Sequence, residues 1–98
     1  MYIIKMTDHF EKWLVRLKDS KARNTIVERI VRVESTGHFG DHKQLAEELY
    51  EMRLFTGPGY RLYYTLKQEE VVLLLIGGDK KTQSKDIEKP KALLQQLS

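Results

Sequence analysis

The spacing of apolar residues changes twice along this chain, and each change marks a new kind of element. At the start, Tyr2 to Met6 carries the β-branched pair Ile3 and Ile4 and predicts a short strand. Asp8 with Glu11 three residues on resembles a capping box, the usual opening of a helix. Phe10, Trp13, Leu14 and Leu17 then recur at i, i+3, i+4 and i+7, one apolar stripe of a helix that ends near Asp19 and Ser20. A second helix follows, with Ala22, Ile26, Ile30 and Val33 on its buried side, Gly37 as its stop, and Arg23, Arg29 and Arg32 among its more exposed positions. Only a few residues join the two, which predicts an antiparallel helical hairpin. "GHFGDHKQLAEE", residues 37 to 48, has no sustained period and reads as a loop.

From Leu49 the period is two. Tyr50, Met52 and Leu54 share one face, while Glu51, Arg53 and Phe55 share the other. The next run, Tyr60 to Leu66, repeats the alternation: Tyr60, Leu62, Tyr64 and Leu66 against Arg61, Tyr63 and Thr65. "TGPG" joins the two as an antiparallel hairpin. Val71 to Ile76 is apolar throughout, as a central strand covered on both faces should be, and it is read as ending at Gly77 and Gly78. The tail from Thr82 to Leu97 reads as helical, with Pro90 either close to its start or breaking it. The predicted fold is α+β: an amino-terminal strand and a helical hairpin packed on a small, antiparallel-rich sheet, with a carboxyl-terminal helix.

Composition narrows what such a fold can do. Ninety-eight residues, 41% hydrophobic and 32% charged, suit one domain over residues 1–98 with a modest core. The formal charge of +3 leans mildly toward an anionic partner. Cysteine is missing, which removes disulfides, thiolate metal sites and cysteine nucleophiles. His9, His38 and His42 lack metal-ligand spacing, so no metal or cofactor is expected. No stretch reads as a signal peptide or a membrane span, and the cytoplasm is the expected compartment.

If the apolar faces of both hairpin strands pack on the helices, the opposite face shows Glu51, Arg53, Arg61 and Tyr63 together. Arginine grips phosphate through a planar fork, and tyrosine offers a ring on which a base can stack. Lys80 and Lys81, beyond the last strand, are placed to close the same concavity. There is a plainer alternative for Arg53, an ion pair with Glu51 or another carboxylate. Tyr60 and Tyr64 lie on the apolar face and read as core. "GPG" precedes no helix and is a turn, not a phosphate cradle.

"LYEMRLFTGPGYRLYY" followed by "LLLIGGDKKTQSKDI" resembles the RelE/ParE superfamily of toxins from bacterial toxin–antitoxin modules, and within it the HigB-like, phage-derived addiction module killer group. The resemblance extends over essentially the whole chain, and the pairing of Gly-Pro-Gly-Tyr-Arg with Gly-Gly-Asp-Lys is its most specific part. It implies a ribosome-dependent, metal-independent endoribonuclease of mRNA. Its implied partners are a helix-turn-helix antitoxin, the ribosome and mRNA, and operator DNA through the antitoxin complex. Arg53, Arg61 and Lys80 match the family's basic positions. Glu51 is then the candidate base, with Tyr63, Lys81 and Asp79 in contact with RNA. The histidine or tyrosine that many relatives carry near the carboxyl terminus is missing here, and Asp86 stands near its place. Two other readings stay open: a ParE-like inhibitor of DNA gyrase, and a catalytically weak toxin acting mainly as its antitoxin's co-repressor.

Overall fold

The computed structural model describes residues 2–68, 71–79 and 88–97. The elements run β1 (Ile3–Met6), α1 (Asp8–Arg16), α2 (Ser20–Thr36), β2 (His42–Ala46), β3 (Leu49–Leu54), β4 (Tyr60–Lys67), β5 (Val71–Asp79) and α3 (Glu88–Leu97). Five strands form one mixed sheet in the order β1-β5-β4-β3-β2, parallel between β1 and β5 and antiparallel elsewhere.

Thr7, not Asp8, caps α1: its hydroxyl accepts from the Phe10 amide at 3.1 Å. Asp8 and Glu11 instead place negative charge in the first turn, where the helix dipole favours it. The helix stops at Arg16, earlier than the apolar stripe implied, because Leu17 already has extended backbone. Asp19 then caps α2 by accepting from the amides of Lys21 and Ala22 at 3.0 and 3.3 Å, and Gly37 ends it as predicted.

The segment read as a loop contains the edge strand β2. Its His42, Lys43 and Gln44 are exposed, so no hydrophobic alternation announces it. It turns into β3 through Glu47 and Glu48, and Glu48 takes a positive φ of 62°, a conformation that sequence readers look for at Gly or Asn.

The hairpin between β3 and β4 matches its prediction, with Gly57 and Gly59 both at positive φ and the Gly59 amide donating to Thr56 O at 2.9 Å. Tyr50, Met52, Leu54, Tyr60, Leu62 and Tyr64 all join the core under α1 and α2, with Phe10, Ile26 and Val33 opposite them. Phe39 and Tyr50 stack on Tyr64 at 5.4 and 5.5 Å.

The strand β5 does not end at its glycines. It runs on to Asp79, and a bulge decides which way each residue faces: Tyr63 pairs with Ile76 but Tyr64 pairs with Leu74, leaving Leu75 as the extra residue. Past that point the parity is inverted. Gly77 therefore faces α1, where an added Cβ would lie 2.2 Å from the Trp13 ring, and Gly78 falls in register with Arg61. The Thr7 hydroxyl donates to Leu75 O at 2.6 Å, so the cap of α1 also holds the bulge.

The second face of the sheet, predicted to be open along the hairpin strands and covered at Val71 to Ile76, is partly roofed by α3. Leu49, Tyr63 and Leu75 form a second buried cluster against Leu94. Pro90 is the third residue of the described part of α3 and is buried. Among the described residues no helix is long and apolar enough to cross a membrane.

Candidate functional site

Alternation along β3 and β4 puts Glu51 and Arg53 on the same side as Arg61 and Tyr63, and antiparallel pairing sets Arg53 opposite Arg61 and Glu51 opposite Tyr63. Two guanidinium groups in direct register repel one another unless acids intervene. Here two do. Arg61 donates through Nη1 to Glu51 Oε1 at 2.9 Å, and the same oxygen is 3.7 Å from Nε of Arg53. Nη2 of Arg53 donates to Asp41 Oδ1 at 3.0 Å, and the Arg53 amide donates to Asp41 O at 2.8 Å. The quartet of Asp41, Glu51, Arg53 and Arg61 thus pairs two acids with two bases. Its formal charges cancel, so any anion entering must compete with a carboxylate.

The competition is uneven, because the two carboxylates sit in different surroundings. Glu51 and Arg61 have side chains only 2% and 11% exposed, whereas Asp41 and Arg53 are 37% and 30% exposed. Arg61 and Glu51 form a fixed unit; Arg53 and Asp41 form a pair that water and ions can reach.

Both arginines line a cleft of about 210 Å³ whose floor and rim are Leu54, Phe55, Gly57, Pro58, Gly59 and Tyr60, the turn of the hairpin. Burial first, then Asp19 and Asp79, hold the Tyr60 hydroxyl above its ordinary pKa and keep it neutral. The cleft therefore has cationic side walls, an apolar rim and no competing charge from the phenol.

The structure sorts the predicted residues. Arg53 and Arg61 come together as expected. Glu51 joins them, but buried beneath Arg61 rather than open to a substrate hydroxyl. Tyr63 points to the predicted side, yet it is 1% exposed under the second cluster and offers no open ring face. Asp79 ends β5 in register with Tyr60, half-buried at the level of the hairpin turn. Lys80 and Lys81, like Asp86, lie outside the described residues.

Two residues escaped the sequence reading. Asp41 stood in the supposed loop. Arg29, expected among the exposed positions of α2, is half-buried and donates through Nη1 to Phe39 O at 3.0 Å and to Arg53 O at 3.2 Å. Gly40 is packed so closely on this guanidinium that a Cβ there would lie 2.7 Å from Nη1. Arg29 thereby ties the turn carrying Asp41 to the strand carrying Arg53. Desolvation, then the neighbouring Arg32, lowers its pKa against an opposing pull from Asp41. A sequence signal existed in Gly40-Asp41 beside the Arg-rich helix, but nothing local linked it to β3.

Residues 12–96 match the family described as phage derived protein Gp49-like (DUF891). The chain belongs to the Gp49-like family. A relative from Haemophilus influenzae described as an uncharacterized protein is 44% identical over 94 residues, covering 96% of this chain and 94% of its own. The Gp49-like fold seen here is also that of RelE. It superposes on an arginine-substituted mutant of E. coli toxin RelE in the free state with a TM-score of 0.67 and 23% identity, covering 93% of this chain and 96% of that one. The intact E. coli RelBE toxin–antitoxin complex gives a TM-score of 0.65 at 21% identity, over 81% of this chain and 96% of that one. For the toxin–antitoxin complex RelBE2 from Mycobacterium tuberculosis the values are 0.60 and 21%, over 81% and 98%. The α+β architecture of this Gp49-like chain, a five-stranded mixed sheet with three described helices, is therefore RelE-like.

Proposed function

We propose that this chain is the toxin of a toxin–antitoxin pair and that it cleaves mRNA on the ribosome. The observation that carries the reading is the pair Arg53 and Arg61, in register on adjacent strands and opening into one cleft. The fold, shared with RelE toxins alone and with antitoxin, supports it.

RNA can cut itself when its backbone is held in line. The 2'-hydroxyl gives up its proton to water as its oxygen attacks the adjacent phosphorus, and the bond from phosphorus to the 5'-oxygen breaks, leaving a cyclic phosphate and, once that oxygen is protonated, a free 5'-hydroxyl. Negative charge builds on the non-bridging oxygens in the transition state, and two guanidinium groups preorganised on one side stabilise it. Arg61 is the fixed member of that pair and Arg53 the member that exchanges Asp41 for phosphate. Glu51, held by Arg61 in a buried ion pair, serves to orient it. Lys80, directly after Asp79 in the chain, is the proposed ligand of the leaving side and donor to the departing oxygen. A cognate helix-turn-helix antitoxin is the proposed partner that silences the site.

A purified translation system with mapping of mRNA 5' ends tests the reading. Cuts phased with codons should appear only when ribosomes are present, and Arg53→Ala, a half-exposed position, should slow them by about 100- to 1,000-fold, the usual loss of one oxyanion-stabilising donor. Intact mRNA, with DNA supercoiling by gyrase inhibited instead, would overturn it.

A further inference from the structure

Among the described residues Phe55 is the most exposed large apolar side chain, at 79%. The chain holds nine Phe, Tyr and Trp residues, and the other eight are buried or half-buried. Phe55 follows β3 directly, two residues after Arg53, and lines the same cleft as Arg53 and Arg61. The turn beside it is stiff, with Pro58 between two positive-φ glycines and the Gly59 amide bonded to Thr56 O. An open aromatic ring, carried beside a stiff turn, thus stands on a cleft lined by two guanidinium groups.

Its neighbours say what would cover it. A protein-docking patch needs several contiguous apolar side chains. Among the described residues the other exposed large hydrophobics, Ile3, Met6, Val15, Val27 and Val31, belong to β1, α1 and α2, and none of them lines this cleft. An isolated ring between cations instead fits a ligand that is itself half π-face and half anion.

We infer that Phe55 is the base-stacking platform of the site: its ring takes a nucleobase of single-stranded RNA while the adjoining phosphate lies between Arg53 and Arg61. The inference rests on the RNA reading proposed above and assigns to Phe55 the role expected from the sequence for Tyr63. Stacking accepts every base, because each has a π-face, so this contact supplies affinity and positioning and leaves base choice to other groups. It also demands an unpaired strand.

Ribosomes programmed with a short mRNA carrying a fluorescent purine analogue at the codon next to be read supply the probe. Wild-type protein should quench the analogue as it stacks. Phe55→Ala should weaken association roughly 5- to 150-fold and abolish the quenching, Phe55→Tyr should restore both, and Phe55→Leu should not. Urea melts of all three variants should match wild type, since the ring is exposed. Unchanged quenching in Phe55→Ala, or full rescue by Phe55→Leu, would overturn the inference and leave the RNA reading standing. So would a Phe55→Ala protein that binds RNA normally and loses affinity only for its antitoxin. If wild-type protein neither binds nor cuts mRNA, with or without ribosomes, the RNA reading itself falls and this inference with it.

Discussion

Glu51 reaches both arginines and Asp41 reaches Arg53, and their burial gives the two acids opposite consequences. Removing one partner of a buried pair strands the other charge in a poor solvent, at a cost of about 3–5 kcal/mol. Glu51→Gln should fall near the lower end of that range, about 3 kcal/mol, because the amide oxygen still accepts from Arg61. Asp41→Asn breaks a pair that is a third open to water, and should cost under about 1 kcal/mol. Urea unfolding of the two variants checks the contrast; equal losses would mean that burial does not separate the roles. On the proposed ribonuclease reading, Asp41→Asn should also raise the rate of mRNA cleavage at low RNA concentration, since Arg53 then keeps only Glu51 as a charged competitor. A slower rate would instead assign Asp41 to orienting Arg53.

At the level of elements, the bulge in β5 links the site to the amino-terminal helix. It places Gly77 under Trp13 and Gly78 beside Arg61, and its extra carbonyl is held by Thr7. Trp13 is in turn packed by Phe10 and Tyr60, with ring centroids 5.6 and 6.2 Å away, so it has little room to retreat. Gly77→Ala should therefore destabilise by at least the usual overpacking cost of about 1–3 kcal/mol. The loss should be read as a lowered urea midpoint with an unchanged slope. A neutral result would show that α1 can lift from β5. Thr7→Ala removes a helix cap worth about 1 kcal/mol and also strips the bulge carbonyl of its donor. None of this is visible in periodicity. Two consecutive glycines after an apolar run look like a stop, and only the packed indole explains why a strand continues through them.

Across the whole molecule, stability should fall in alkali. Burial chiefly, and then Tyr50 and Tyr2, raise the pKa of Tyr64 above that of free tyrosine, and Tyr60 shifts the same way. The folded state keeps both protons at a pH where the unfolded chain releases them. Their contribution is therefore complete below the unfolded value of about pH 10 and is lost as pH climbs from there toward the folded pKa. Urea melts at about pH 9 and about pH 11 should show this loss, and Tyr64→Phe should reduce it. An identical loss in Tyr64→Phe would place the alkaline sensitivity elsewhere.

Local pattern was enough for much of this. The 3.6-residue stripe of α1 and α2, the turn at Gly57 and Gly59, and the alternation that separates Arg53 and Arg61 from Met52 and Leu62 all depend on backbone geometry within a few residues. They were legible because a helix or strand displays its period wherever it packs. The edge strand β2, the burial of Tyr63 under Leu94, the ion pair from Asp41 and the clasp of Arg29 were not. Tyr63 and Arg29 depend on segments distant in the chain, whereas β2 and Asp41 meet the very next strand through a turn that their exposed residues do not announce. The amino-acid sequence by itself thus determined that two arginines share one side of a hairpin. Only the tertiary structure decided which acids hold them, because burial and long-range pairing set the charge balance of a site.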